Sequence, residues 1–174
     1  MNKVEFFDAG EELPVALDFL WLIIDGVVES YTVNRTGKVI ILGFWGKQEV
    51  IGKSLSKIDP YFLKCLSEVR AIAVASDRWN TISVNLLNRI QQLQEISYIV
   101  RNPPEDRLWL LLQWLAQKFG NQTSLGLEIS FELTPQELAD SLGMTTTIVN
   151  RILNQLEREN RIMRSNERYI VLNQ

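Results

Sequence analysis

The chain has 174 residues, 46% hydrophobic and 22% charged, enough to bury a core as one ordinary domain or two small ones. No apolar run approaches the roughly 20 residues that span a bilayer, and the opening MNKVEFFDAGEELP is too acidic for a signal peptide, so a cytoplasmic protein with no membrane partner is expected. With one cysteine, Cys65, and no histidine, the composition argues against an internal disulfide, a zinc or iron–sulfur site and the nucleophile–base pair of most enzymes; no cofactor and no catalysis are expected.

Residues 6–79 alternate short β-branched and aromatic runs with glycine. Strands are expected over 20–24, 27–33, 39–44, 50–51 and 69–74, with breaks near Asp25-Gly26, Asn34 to Gly37 and Gly46-Lys47. Strands at this spacing without intervening helices predict a small antiparallel barrel or roll. The period changes from about residue 77 to 101. Leu86, Ile90, Leu93, Ser97 and Val100 step by four, three, four and three, which is a helix with a seam like that of a coiled coil. Packing against its own domain would also explain such a stripe, but a helix of this length outreaches a small roll, and a two-stranded dimer contact is the preferred reading.

Asn102-Pro103-Pro104-Glu105 ends that helix and caps another. Its Leu108, Trp109, Leu111, Leu112, Trp114, Leu115 and Phe119 give an apolar surface almost all round, which predicts burial in a second domain. Residues 126–131 read as a strand. Residues 133–156, LTPQELADSLGMTTTIVNRILNQL, then carry the residue types of a helix-turn-helix. Thr134, Pro135 and Glu137 make a capped start, Ala139 is small enough for two helices to cross closely, and Gly143 suits a tight turn. Leu138, Leu142, Val149, Ile152, Leu153 and Leu156 recur at helical spacing and close a shared core.

With that face turned inward, Thr146, Thr147, Asn150, Arg151 and Asn154 share the opposite face of the second helix. Behind Thr145 such side chains can donate to phosphates and read base edges in a major groove. Residues 161–164 and 168–172 flank Ser165-Asn166-Glu167 as a hairpin, with Arg164 and Arg168 placed to touch phosphates. The net charge of −3 hides a local bias, because residues 145–168 hold 5 arginines against 3 glutamates while residues 1–79 hold 9 cations against 11 carboxylates. So modest a positive patch predicts weak non-specific binding by one subunit and a need for two.

A β-roll, a long helix and a winged helix-turn-helix in this order resemble the cyclic AMP receptor protein (Crp/Fnr) family of bacterial transcription regulators, over nearly the whole chain. The likeness is tightest in LTPQELADSLGMTTTIVNRILNQLERENRI and looser in LWLIIDGVVESYTVNRTGKVIILGFWGKQEVIGK. It implies an α+β fold in three parts: a cyclic-nucleotide-binding-like roll over 1–79, a dimerisation helix over 80–101 and a winged helix-turn-helix over 102–174. It also implies a homodimer on a near-palindromic double-stranded DNA site, RNA polymerase as a further partner, and DNA contacts from Thr134, Thr145, Thr146, Thr147, Asn150, Arg151, Asn154, Arg164 and Arg168.

The departures from the family narrow this. Members that bind a cyclic nucleotide hold it with a Gly-Glu pair and, further on, an Arg-Ser/Thr pair, and these positions fall here on Gly52-Lys53 and about Cys65-Leu66. A carboxylate for ribose hydroxyls has become a cation and the guanidinium for the phosphate is gone, so dependence on a cyclic nucleotide is not expected. The cysteine cluster of oxygen-sensing relatives and the histidine of haem-sensing ones are missing. A small anionic effector such as 2-oxoglutarate is an alternative, with Lys53, Lys64 and Arg70 as the available cations. The family's common Arg-Glu pair is Thr146-Thr147 here, leaving Arg151 as the residue for a bidentate contact to guanine. A winged helix used only for protein contact stands as the other alternative, since Glu157, Glu159 and Glu167 dilute the positive charge.

Overall fold

A computed structural model describes residues 3–75, 83–165 and 168–172, with the side chains of 83–89 outside that description. The chain divides into two compact units, Met1–Gln91 and Gln92–Gln174.

Among the described residues of the first unit seven strands follow one another: β1 (Val4–Phe7), β2 (Phe19–Asp25), β3 (Val28–Val33), β4 (Val39–Trp45), β5 (Val50–Ile51), β6 (Phe62–Cys65) and β7 (Val69–Ala75), with a 3-10 turn at Lys53–Leu55. Antiparallel pairing arranges them in two sheets, ordered β1-β7-β2-β5 and β4-β3-β6. The core draws on both: Trp21, Ile23, Ile51, Val69 and Ala71 from the first sheet, and Val28, Trp45, Leu63 and Cys65 from the second. Strand β2 explains its own unbroken apolar run, because both of its faces are covered. Trp21 and Ile23 join the main core, while Leu20 packs with Val50, Leu22 and Leu55 in a second cluster. Both buried indoles find an acceptor or hydroxyl, Trp21 donating to Pro14 O at 2.8 Å and Trp45 to Ser30 Oγ at 2.8 Å, as burial of an N–H demands.

Two strands of this unit, β1 and β6, were not expected from the sequence pattern. Strand β1 has no fully buried residue, and Phe6 is 73% exposed. Strand β6 interrupts its apolar residues with Lys64, whose ammonium lies 3.8 Å from the carboxylate of the buried Glu29 on the neighbouring β3. Both exist through pairing with a distant partner, which local periodicity does not reveal.

The helix expected over 77–101 is α1 (Ser83–Ile99) among the described residues. It leads to α2 (Pro104–Phe119), with Pro104 at the first helical position and Glu105 and Asp106 in the first turn, where the helix dipole favours carboxylates. Two short strands, β8 (Gly120–Gln122) and β9 (Gly126–Ile129), precede α3 (Pro135–Leu142) and α4 (Thr146–Arg158), and the chain closes with β10 (Ile162–Ser165) and β11 (Arg168–Leu172). The hairpin expected at the end is therefore part of a four-stranded sheet, ordered β10-β11-β9-β8. Gly126 permits its central pairing, since a Cβ there would meet Val171 O at 2.0 Å. The wing-turn residues Asn166 and Glu167 lie outside the described residues.

Helix α2 corrects one expectation: it does not need burial all round. Leu108, Leu111, Leu112, Leu115 and Ala116 form the buried stripe, and the two tryptophans beside it are half-buried under polar groups of the same unit. The Arg161 guanidinium lies 4.0 Å from the Trp109 ring centre, a cation–π contact. Trp114 donates to Glu95 Oε2 at 2.7 Å, with Lys118 Nζ 5.2 Å from its ring centre.

Cys65 is 0% exposed, and burial, aided by the charge of Glu11, pushes its thiol up to about 12. A thiol reagent at neutral pH should therefore leave Cys65 unmodified in the native protein and react fully once denaturant is added. Prompt native labelling would show the side chain lying outside the core.

Candidate nucleic-acid interface

Helix α3 begins with a capping box. The Thr134 hydroxyl accepts from Glu137 N at 3.1 Å, and Glu137 Oε2 accepts from Thr134 N at 2.8 Å. Such a cap stabilises a helix start by about 1 kcal/mol. At the other end Gly143 takes a left-handed conformation, φ 63°, which a residue without Cβ adopts at little cost. Met144 N then donates to Ala139 O at 2.9 Å, and Thr145 caps α4 by accepting from Ile148 N at 3.3 Å. Between the two helices Leu138, Ala139, Leu142, Met144, Val149, Ile152, Leu153 and Leu156 are all buried.

That packing decides what α4 leaves outside. Thr147, Asn150, Arg151 and Asn154 are exposed and Thr146 is half-exposed. The Thr146 hydroxyl donates to Gln136 Oε1 at 2.7 Å, tying the start of α4 to α3. Asn154 Oδ1 accepts from Arg164 Nη2 at 2.7 Å, which joins α4 to the wing strand β10. Thr146, Thr147, Asn150, Arg151, Asn154 and Arg164 thus belong to one connected polar surface. Thr134 and Thr145 have their hydroxyls engaged in capping. Arg168 is set apart, with Nη1 4.0 Å from Glu128 and Nε 3.6 Å from Glu132.

Carboxylates of the same unit meet the cations of this surface. Arg151 Nη2 lies 2.8 Å from Glu105 Oε1 in the first turn of α2, and Arg164 is paired with Glu157. The Glu105 carboxyl is held below the usual carboxylate range by its own backbone N–H and then by Arg151. Hydrogen bonding to Arg164 does the same for Glu157, and that bond raises the Arg164 guanidinium in turn. Sequence reasoning missed Gln136 and Glu105 as parts of the surface. Glu105 stands 46 residues from Arg151, so no local spacing connects them.

The roll residues singled out for an effector have other surroundings. At Gly52 a Cβ would meet Leu20 Cδ2 at 2.7 Å. Lys53 Nζ donates to Ile58 O at 2.6 Å and pairs with Asp59 at 2.9 Å. Cys65 belongs to the core, and Leu66, half-buried, donates its backbone N–H to Val27 O at 2.8 Å. Arg70 is paired with Asp25 at 3.0 Å. An open cleft of about 330 Å³ in this unit is lined by Glu12, Leu13, Pro14, Val15, Tyr61, Phe62 and Leu63, none of them in that set. Among the described residues no group of three carboxylates or thiols could hold a metal, and no helix is long and apolar enough to cross a membrane.

Residues 106–174 match the Crp-like helix-turn-helix domain. Over 163 residues the chain is 33% identical to the regulatory protein CysR of Synechococcus elongatus, covering 91% of this chain and 79% of that one. Identity is 23% over 180 residues to the fumarate and nitrate reduction regulatory protein of Yersinia pestis, covering 95% of this chain and 70% of that one. In fold it is similar to a CRP-family transcriptional regulator from Thermus thermophilus, with a TM-score of 0.83 at 18% identity over 97% of this chain and 92% of that one. FixK2 from Bradyrhizobium japonicum gives 0.77 at 15% identity over 99% and 93%. With its antiparallel roll, its capped helix-turn-helix and these relatives, the chain belongs to the Crp/Fnr family of DNA-binding transcription regulators.

Proposed function

We propose that this regulator acts as a homodimer on a near-palindromic DNA site, reads it with α4, and does so without a cyclic nucleotide. One observation carries the reading: a helix sealed on one side by Val149, Ile152, Leu153 and Leu156 holds Thr147, Asn150, Arg151 and Asn154 outward behind a capped turn. Arg151 has the fork that fits guanine O6 and N7, and the shorter side chains suit a thymine methyl, an adenine or a phosphate. Arg164 and Arg168 contribute phosphate contacts that position the protein. RNA polymerase is the further partner that the family implies.

Independence of cyclic nucleotide is supported by the roll itself. Trp21 and Trp45 fill the space between its sheets, and Lys53, Lys64 and Arg70, the cations an anionic effector would use, each have a carboxylate partner.

Dimerisation is supported by α1. Ile90 is 53% exposed and Leu93 55% exposed, three residues apart on one helix, with Ser97 and Val100 half-buried further along. Of the expected seam, the side chain of Leu86 lies outside the described residues. Two large apolar groups left in water on a helix indicate a partner surface. Replacing Ile90 and Leu93 together by Glu would set like charges face to face in such a seam. The variant should sediment as a folded monomer, lose operator binding and lose any dependence of its melting on protein concentration; an unchanged dimer would remove α1 as the interface.

Recognition and folding separate on α4. Arg151→Ala should leave melting unchanged, cost about 1–3 kcal/mol on the specific site and relax preference at one base pair in each half-site. Val149, 0% exposed, is the opposite case: Val149→Asp buries a charge and should unfold the domain. Base-by-base affinity profiles of wild type and Arg151→Ala check this. Parallel losses on every sequence would mean that α4 only positions the protein and that DNA shape supplies specificity.

A further inference from the structure

The last turns of α1 belong with the helix-turn-helix, because the boundary between the two compact units falls inside that helix, after Gln91. Gln92, Glu95 and Ile99 share one helix face, and all three are engaged. Buried Gln92 accepts from Lys118 Nζ at 2.9 Å, Glu95 Oε2 accepts from Trp114 Nε1 at 2.7 Å, and Ile99 is buried. Leu93, on another side of α1, is exposed. The junction between α1 and α2 is tied as well: Asn102 Nδ2 donates to Tyr98 O at 2.8 Å, and Arg107 Nε donates to Asn102 O at 2.6 Å. The same guanidinium reaches Leu142 O, at the end of α3, from Nη1 at 3.4 Å. Helix α2 in turn packs against α3 and α4.

We infer that Trp114 and Lys118 are positioning residues of the DNA-bound dimer. By clasping the end of α1 to α2 they hold each α4 at one distance and angle from the α1 seam, and so set the half-site spacing that the protein accepts. This rests on the α1 homodimer and the α4 reading proposed above. Two linked modules gain most when the link holds them at the separation of their targets, and a stiff link gains little on targets placed elsewhere. One base pair added between half-sites moves them about 3.4 Å apart and turns one against the other by about 35°. A loosened clasp therefore loses affinity where the spacing matches and tolerates spacings that do not.

The test uses Trp114→Phe and Lys118→Met, which each remove one hydrogen bond and keep apolar bulk, the double variant, and Lys118→Arg, which keeps a donor for Gln92. Binding is measured on a duplex selected by the wild type, on the same half-sites moved one base pair closer or further apart, and on a single half-site. Sedimentation and melting follow each variant. The double variant should remain a folded dimer and bind the single half-site as the wild type does. On the selected duplex its affinity should fall about tenfold, part of the roughly 100- to 10,000-fold that linkage supplies. On the shifted duplexes it should hold or rise, so the preference for one spacing narrows, while Lys118→Arg keeps the wild-type preference. If the double variant does not fold, the two single variants carry the same comparison. An unchanged spacing preference in the folded variants would overturn the inference, as would equal losses on single and paired half-sites. A wild type that binds paired half-sites no better than one would overturn the dimer reading itself.

Discussion

The outward polar face of α4 depends on the packing between α3 and α4. Leu138, Ala139 and Leu142 on one side, and Val149, Ile152, Leu153 and Leu156 on the other, are buried together. Each large aliphatic among them contributes about 1.5–3 kcal/mol by leaving water. Because a helix repeats every 3.6 residues, burying that stripe leaves Thr147, Asn150, Arg151 and Asn154 no other direction to point. At the turn Ala139 is fully buried, Met144 N donates to its carbonyl, and the left-handed Gly143 redirects the chain within a few residues. The outward face follows from packing on the far side of the same helix.

Charge is the second constraint, and it works against tight binding. A net charge of −3 and a surface whose arginines meet Glu105, Glu157, Glu128 and Glu132 leave few cations for non-specific attraction. In the homodimer proposed above, affinity would come from base contacts and from two subunits acting together. The exposed Ile90 and Leu93 of α1 are the surface proposed above to hold the second subunit. The first unit makes a different use of its side chains: Trp21, Trp45 and Cys65 close the interior of the roll on itself.

How much of this was legible in the sequence varied with how local the causes are. The helix-turn-helix announces itself because Thr134, Pro135, Glu137 and Gly143 act within a few residues of where they stand. The strands β2, β3, β4, β5 and β7 carry their own β-branched and aromatic runs. By contrast β1, β6 and β8 owe their conformation to partners, and GNQ in β8 has no apolar side chain at all; its strand exists because β9 lies beside it. Outward positions on α4 could be read from periodicity, but what those side chains touch could not. Glu105 and Arg151 meet across 46 residues, and Arg168 turns to Glu128 on the neighbouring strand and to Glu132 in the loop that follows it. The half-buried tryptophans of α2 show the same limit, since Arg161 and Lys118 cover apolar area that residue type alone assigns to the core.

Packing, charge and the α1 seam combine into one claim, that two copies of α4 read two half-sites at once. Selection of bound duplexes from a random-sequence pool by the wild-type protein addresses it most directly. The expected outcome is an inverted repeat whose half-sites lie about one helical turn apart, or a multiple of it, each with a guanine at a fixed place for Arg151. Enrichment of a lone half-site would contradict the dimer, and a selected pool no different from its input would contradict sequence reading altogether.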